Sequence, residues 1–230
     1  MGDTIDLMIK AITTFYDDLK ADRNDRYRSW EHCYKSFHVA RNIRNADYDY
    51  LSLQLAFYLA SWGMYRGSSF LLQKDYKIHI PVVKELLKDE YDCLLGLECK
   101  EYRKEDIQKR LNKLYSYMEN YYDGVRNSVR SETKNKLSMT LITKILMGSL
   151  GCVPAYDRYF IKGVKDQNVT TGYYGKSSLA GLVDFYEKNN ERLEQVRNNL
   201  KIEDDLIYPQ MKLLDMGFWQ IGLEKEKMRG

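Results

Sequence analysis

Apolar side chains recur at intervals of three and four along most of this chain, and only three of its 230 residues are proline. Few architectures fit that combination. A 3.6-residue period calls for amphipathic helices, and scarce prolines let them run uninterrupted. Residues 4–20 carry the pattern in Ile5, Met8, Ile9, Ile12, Phe15, Tyr16 and Leu19. A second helix is expected over 29–43, with Ser29 as N-cap and Trp30, Cys33, Tyr34 and Phe37 on one face. Within 47–66, the run from Leu51 to Trp62 is apolar on almost every side, which suits a helix at the centre of a bundle. Pro81 fits the first turn of a helix reaching Leu95. Further helices are expected over 104–127, 136–150, 154–163, 177–198 and 209–219, with 165–176 as the main loop. No segment alternates as paired strands would. The expected fold is all-α, a globular assembly of about eight to ten helices. Composition marks no linker, so 1–230 reads as a single α-helical domain, with lobes 1–130 and 131–230 around a cleft as the alternative.

Charge narrows the partners less than the fold. Thirty-six basic and 33 acidic residues leave a net +3, too balanced for a basic tail yet compatible with a local basic groove. Tyrosine is over-represented, at 20 residues, and its amphipathic ring suits half-wet grooves and stacking surfaces. Cys33, Cys93, Cys99 and Cys152 form no CxxC pair and no zinc spacing, so no metal and no cofactor is expected. They read as reduced thiols. With no signal-like start and no confident membrane span, a cytoplasmic protein without a membrane partner is expected.

The stretch from Thr143 to Phe160 carries the chemistry. On a helical wheel Lys144 falls at the rim of the apolar arc formed by Leu137, Leu141, Ile142, Ile145, Leu146 and Leu150. Gly148, one turn on, leaves space where the amine would lie. A loop with Gly151 and Pro154 follows, and Asp157 stands where it can cap the next helix. An amine and a carboxylate brought together across such a turn can act as nucleophile and as general base or cation stabiliser.

This stretch resembles the helix-hairpin-helix DNA glycosylase superfamily, the all-α fold of base-excision enzymes. In that family a lysine on the helix after the hairpin is followed by a Val-Pro-x-Asp-like segment. Thr143-Lys144, then Val153, Pro154, Ala155, Tyr156, Asp157, Arg158 and Tyr159, has that order. The resemblance implies that Lys144 attacks the sugar C1′ and forms a Schiff base. It implies that Asp157 stabilises the oxocarbenium-like state or activates the nucleophile. DNA is then the partner, and base excision serves repair or defence against modified viral DNA. The family's Leu-Pro-Gly-Val-Gly hairpin is absent; the chain reads Thr133 to Met139 there, and the lysine–aspartate spacing is shorter than the family's.

A flipped base needs aromatic walls and a few polar groups, and Trp62, Tyr65, Arg66, Gln73 and Tyr156 are the expected pocket. Arg158, Tyr159, Lys162, Tyr173 and Lys176 are the expected nucleic-acid contacts. Two other readings stand beside this one. One is a non-catalytic helical module binding nucleic acid or a protein partner. The other is a HEPN-like ribonuclease, on the spacing of Arg26 and His32. Asp215, among apolar neighbours, is expected to pair with a base or to cap something, with Arg66 as one guess.

Overall fold

The computed structural model describes residues 4–129, 137–202 and 206–228. Among them the chain forms ten α-helices, joined in places by 3₁₀ turns. These are α1 (Thr4–Ala21), α2 (Ser29–Ala40), α3 (Tyr48–Ser61), α4 (Ile80–Leu86) and α5 (Glu105–Val129). They continue as α6 (Met139–Ser149), α7 (Arg158–Asp166), α8 (Lys176–Lys188), α9 (Asn190–Arg197) and α10 (Gln210–Lys227). The fold is all-α, as expected; pairing of extended chain amounts, among the described residues, to an isolated bridge between Lys201 and Ile207.

Local chemistry explains most boundaries. Asp47 caps α3 by accepting the Tyr50 N–H at 2.9 Å, and Ser138 caps α6 through the Thr140 N–H at 3.2 Å. Pro81 sits in the first turn of α4. That helix ends at Leu86, short of Leu95, and the Leu86 carbonyl accepts from the Arg41 guanidinium. The chain then continues as a 3₁₀ segment, Asp89–Leu94. The single helix expected over 177–198 is broken at Asn189, whose side-chain amide donates back to the Phe185 carbonyl at 2.8 Å. The helix expected from residue 154 starts at Arg158, because Asp157 occupies the capping position and 150–157 is irregular.

The centre of the molecule is α10 rather than α3. Every residue from Gln210 to Gly222 is buried. By contrast α3 leaves Tyr50, Leu53 and Phe57 about half exposed along one side. The inversion arises because the buried polar residues of α10 all find partners, Lys212 with Asp215 on the helix itself and Gln210 with Cys99 and Glu194 outside it, so its sequence looks less central than it is. Gly163 of α7 and Gly222 of α10 let those helices touch backbone to backbone. A Cβ on Gly163 would lie 2.0 Å from the Phe218 carbonyl oxygen, and one on Gly222 equally close to that of Tyr159. One continuous apolar cluster runs from Ile5 to Ile221 and draws on all ten helices.

Candidate functional site

Lys144 lies on α6, where every residue from Leu141 to Ser149 is buried. The wheel's rim position therefore becomes an interior one, with the Lys144 side chain only 2 % exposed. The vacancy expected at Gly148 is filled by the Tyr58 ring, which a Cβ there would meet at 2.4 Å. Burial of Tyr58, together with the carboxylates of Asp215 and Asp157, holds its phenol well above the ordinary range, so it stays a neutral hydroxyl.

The buried amine has a partner. Lys144 Nζ donates to Asp157 Oδ2 at 2.9 Å. The other carboxylate oxygen, Oδ1, accepts the N–H groups of Tyr159 and Phe160, each at 3.1 Å, and so caps α7. One carboxylate thus joins an ammonium to a helix N-terminus, where both positive ends favour its charge. The segment carrying it is bolted down. Tyr156 N–H donates to Thr143 Oγ1 at 3.0 Å, and Thr140 Oγ1 donates to the Tyr156 carbonyl at 2.8 Å. Ala155 N–H donates to Asp215 Oδ1 of α10 at 2.9 Å. Gly151, at φ +63°, turns the chain out of α6 with its N–H on the Leu146 carbonyl.

Both members of the pair line a cleft of about 690 Å³. Its walls are aromatic: Tyr27, Trp62, Tyr159 and Trp219. The Lys144 amine lies 4.8 Å from the Trp62 ring centroid, within cation–π range. Tyr27 packs on Trp62 at 4.6 Å, and Trp219 stands edge-on to Tyr27, Trp62 and Tyr159 at 5.4–5.7 Å. Arg26, Arg66, Arg158 and Lys227 border the same cleft, with Asp18 and Asp25 among them. Arg26 and Arg158 each lie over the adjacent tyrosine ring, at 4.7 Å and 4.6 Å, and each donates to that tyrosine's hydroxyl.

Of the residues expected at the site, the structure brings together Lys144, Asp157, Trp62, Arg66, Arg158 and Tyr159. Others it sends elsewhere. After α3 the chain turns at Gly63, φ +77°; Met64 and Arg66 line the cleft, whereas Tyr65 between them meets His79 Nε2 at 2.8 Å. Gln73 is exposed at the end of a 3₁₀ turn whose Phe70 and Leu71 are buried. Tyr156 is buried behind the pair, its hydroxyl 2.8 Å from Ser178 Oγ. Lys162 lies a full turn and more beyond the cap and pairs with Asp166 at 3.7 Å. Tyr173 is exposed beneath Lys165, and Lys176 borders a separate cavity of about 300 Å³ against α5. Arg26 and His32 do not converge either: Arg26 borders the cleft, whereas His32 is exposed on α2 beside an apolar groove against α3.

Tyr27, Trp219 and Thr140 are additions that sequence reading passed over, and Thr143, quoted there as the neighbour of Lys144, holds the Tyr156 N–H. Tyr27 lies in a charged stretch without periodicity, and Trp219 looks like an ordinary core anchor. Asp215 does take a base, but the base is Lys212 of the same helix, at 2.9 Å, and not Arg66. Sequence offered one signal for that pair, the i,i+3 spacing. The four cysteines are unpaired, three of them buried; burial pushes Cys152 up to about 12 and raises Cys33 and Cys99 as well, so these three stay thiols. Among the described residues no group of three or more His, Cys, Asp or Glu could hold a metal ion, and no helix is long and apolar enough to cross a membrane.

No family model, no curated protein and no solved structure matches the chain.

Proposed function

We propose that the protein is a DNA glycosylase-like enzyme that removes a damaged or modified base, with Lys144 as nucleophile and Asp157 as its proton acceptor and charge partner. The observation carrying this reading is the 2.9 Å amine–carboxylate pair, buried beneath an indole in a cleft with aromatic walls. Each feature answers a need of the chemistry. The ammonium must lose a proton before it can attack, and Asp157 Oδ2 is in hydrogen-bond contact to receive it. The lone pair of Lys144 Nζ then forms a bond to C1′ as the C1′–base bond breaks. That bond's electrons leave with the base, which takes the proton Asp157 received. The alkylated nitrogen gives up a second proton to the freed Asp157 carboxylate, and its lone pair opens C1′–O4′ to give the iminium as that proton passes to the sugar oxygen. Positive charge developing at C1′ faces a carboxylate held by two backbone N–H groups. Tyr27, Trp62, Tyr159 and Trp219 give the cleft an aromatic lining; an extruded base would take the places of the Arg26 and Arg158 guanidinium groups over Tyr27 and Tyr159, and the four bordering cations would then contact phosphate.

The test is borohydride trapping on duplexes carrying damaged or modified bases. The wild type is expected to give a covalent protein–DNA adduct, and Lys144→Gln none. The lysine mechanism is refuted if no such duplex gives an adduct or Lys144-dependent excision. Excision that persists in Lys144→Gln but disappears in Asp157→Asn would assign the reaction to the carboxylate alone. Salt-dependent DNA binding without any excision would favour the non-catalytic module.

A further inference from the structure

A second lysine–aspartate pair lies behind the first. Lys212 Nζ and Asp215 Oδ2 are 2.9 Å apart on α10, and both side chains are 3 % exposed. Neither residue borders the cleft. A buried ion pair is a poor source of stability, because desolvating two charges offsets their attraction and apolar residues of similar volume often do as well. What this pair touches points to a different use. Asp215 Oδ1 accepts the Ala155 N–H, two residues before Asp157. The Lys212 amine lies 5.0 Å from the Trp62 ring centroid, on the same indole that covers Lys144 at 4.8 Å. The pair therefore reaches both members of the site, the carboxylate through the Ala155 backbone and the amine through Trp62.

The backbone of Tyr156 is bolted to α6, the helix that bears Lys144: Thr143 holds its N–H and Thr140 its carbonyl. Its hydroxyl meets Ser178 Oγ of α8 at 2.8 Å, and Asp157 Oδ1 caps α7. Asp215 adds the tie to the central helix, at the backbone N–H of Ala155. The geometry points to Lys212–Asp215 as the positioning pair of the site, with Asp215 setting through Ala155 where the Asp157 carboxylate stands relative to Lys144. This inference rests on the amine–carboxylate chemistry proposed above. Lys212 and Asp215 are positioning residues, since they act through Ala155 and Trp62.

Two double variants of the full chain separate this role from simple packing. Lys212→Met with Asp215→Asn removes both charges but keeps an oxygen that can accept from Ala155. Lys212→Met with Asp215→Leu removes that acceptor too. Three measurements are made on each: thermal unfolding, hydrogen exchange at the Ala155 amide, and single-turnover adduct formation at saturating duplex together with duplex Kd. Expected is an Asn variant within about threefold of wild type and a Leu variant about 100-fold slower, with unchanged Kd, a folded melt and fast Ala155 exchange. A folded Leu variant with wild-type rate and protected Ala155 overturns the inference. An Asn variant as slow as the Leu variant does so too, because the hydrogen bond would then be irrelevant. If the wild type forms no adduct, the proposed chemistry fails by itself, and Ala155 exchange decides the anchor. Lost protection in the Leu variant alone supports it; equal protection in all three proteins overturns it.

Discussion

The wall of the cleft that carries Trp62 and Arg66 depends on a buried histidine, and protonating that histidine should cost stability by a calculable amount. His79 is fully buried, with Nε2 2.8 Å from the Tyr65 hydroxyl and Nδ1 2.6 Å from that of Tyr122 on α5. A neutral imidazole serves one tyrosine as donor and the other as acceptor. Burial lowers its pKa from 6.5 to about 4. The unfolded chain therefore binds a proton between those values that the folded chain refuses. The contribution is complete above 6.5 and lost progressively as pH falls toward 4. At about 1.4 kcal/mol per unit, the whole loss is about 3 kcal/mol, of which about 2.5 falls between pH ~7.5 and ~4.5. Urea unfolding followed by tryptophan fluorescence at those two pH values measures it, with His79→Gln as the non-titrating reference. The wild type should lose about 2.5 kcal/mol more than the variant between the two conditions. Equal losses in both proteins would refute the burial argument. Because Tyr65 follows directly on the cleft-lining residues 62–64, tryptophan emission should change before global unfolding as His79 charges.

Other perturbations test the packing and the pair. Gly222→Ala places a methyl group against the Tyr159 carbonyl and should cost about 1–3 kcal/mol in urea melts, since backbone cannot step aside. Asp157→Asn keeps a good capping side chain, so Asp157→Ala should be about 1 kcal/mol less stable than Asp157→Asn; equal midpoints would refute the cap. Trp62→Leu uncovers the Lys144 amine and should speed its reductive alkylation by a small aldehyde, read by peptide mass spectrometry, whereas an unchanged rate would show that the indole does not shield it. DNA affinity should fall with rising salt, with a shallower slope in Arg26→Gln and Arg158→Gln; parallel slopes would remove those arginines from the phosphate contacts.

Much of the scaffold was legible because helical periodicity is a local property. The apolar positions of α1, the cap Asp157 and the first-turn Pro81 all act within a few residues of themselves. Lys144 and Asp157 were legible together for the same reason, being separated by one helix–loop turn. The expected hairpin position lies largely outside the described residues.

Contacts across the molecule were not legible. α3 reads as the more apolar helix, yet α10 takes the centre, because burial follows what surrounds a helix and α10's buried polar groups find partners both on α10 and on the elements packed around it. Tyr65 and Gln73 lie near Trp62 and Arg66 in the chain but leave the cleft: the chain turns at two positive-φ glycines, Gly63 and Gly67, and Tyr65 is taken up by His79. The sequence by itself determined that this chain is helical and that an amine and a carboxylate stand one turn apart. Only the tertiary structure decided that the amine is buried and covered by Trp62. It alone placed Tyr27 and Trp219 around it and brought Asp215 to the backbone beside Asp157. The physical reason is range: caps and periodicity act over a few residues, whereas desolvation and stacking depend on side chains that only the folded chain brings together.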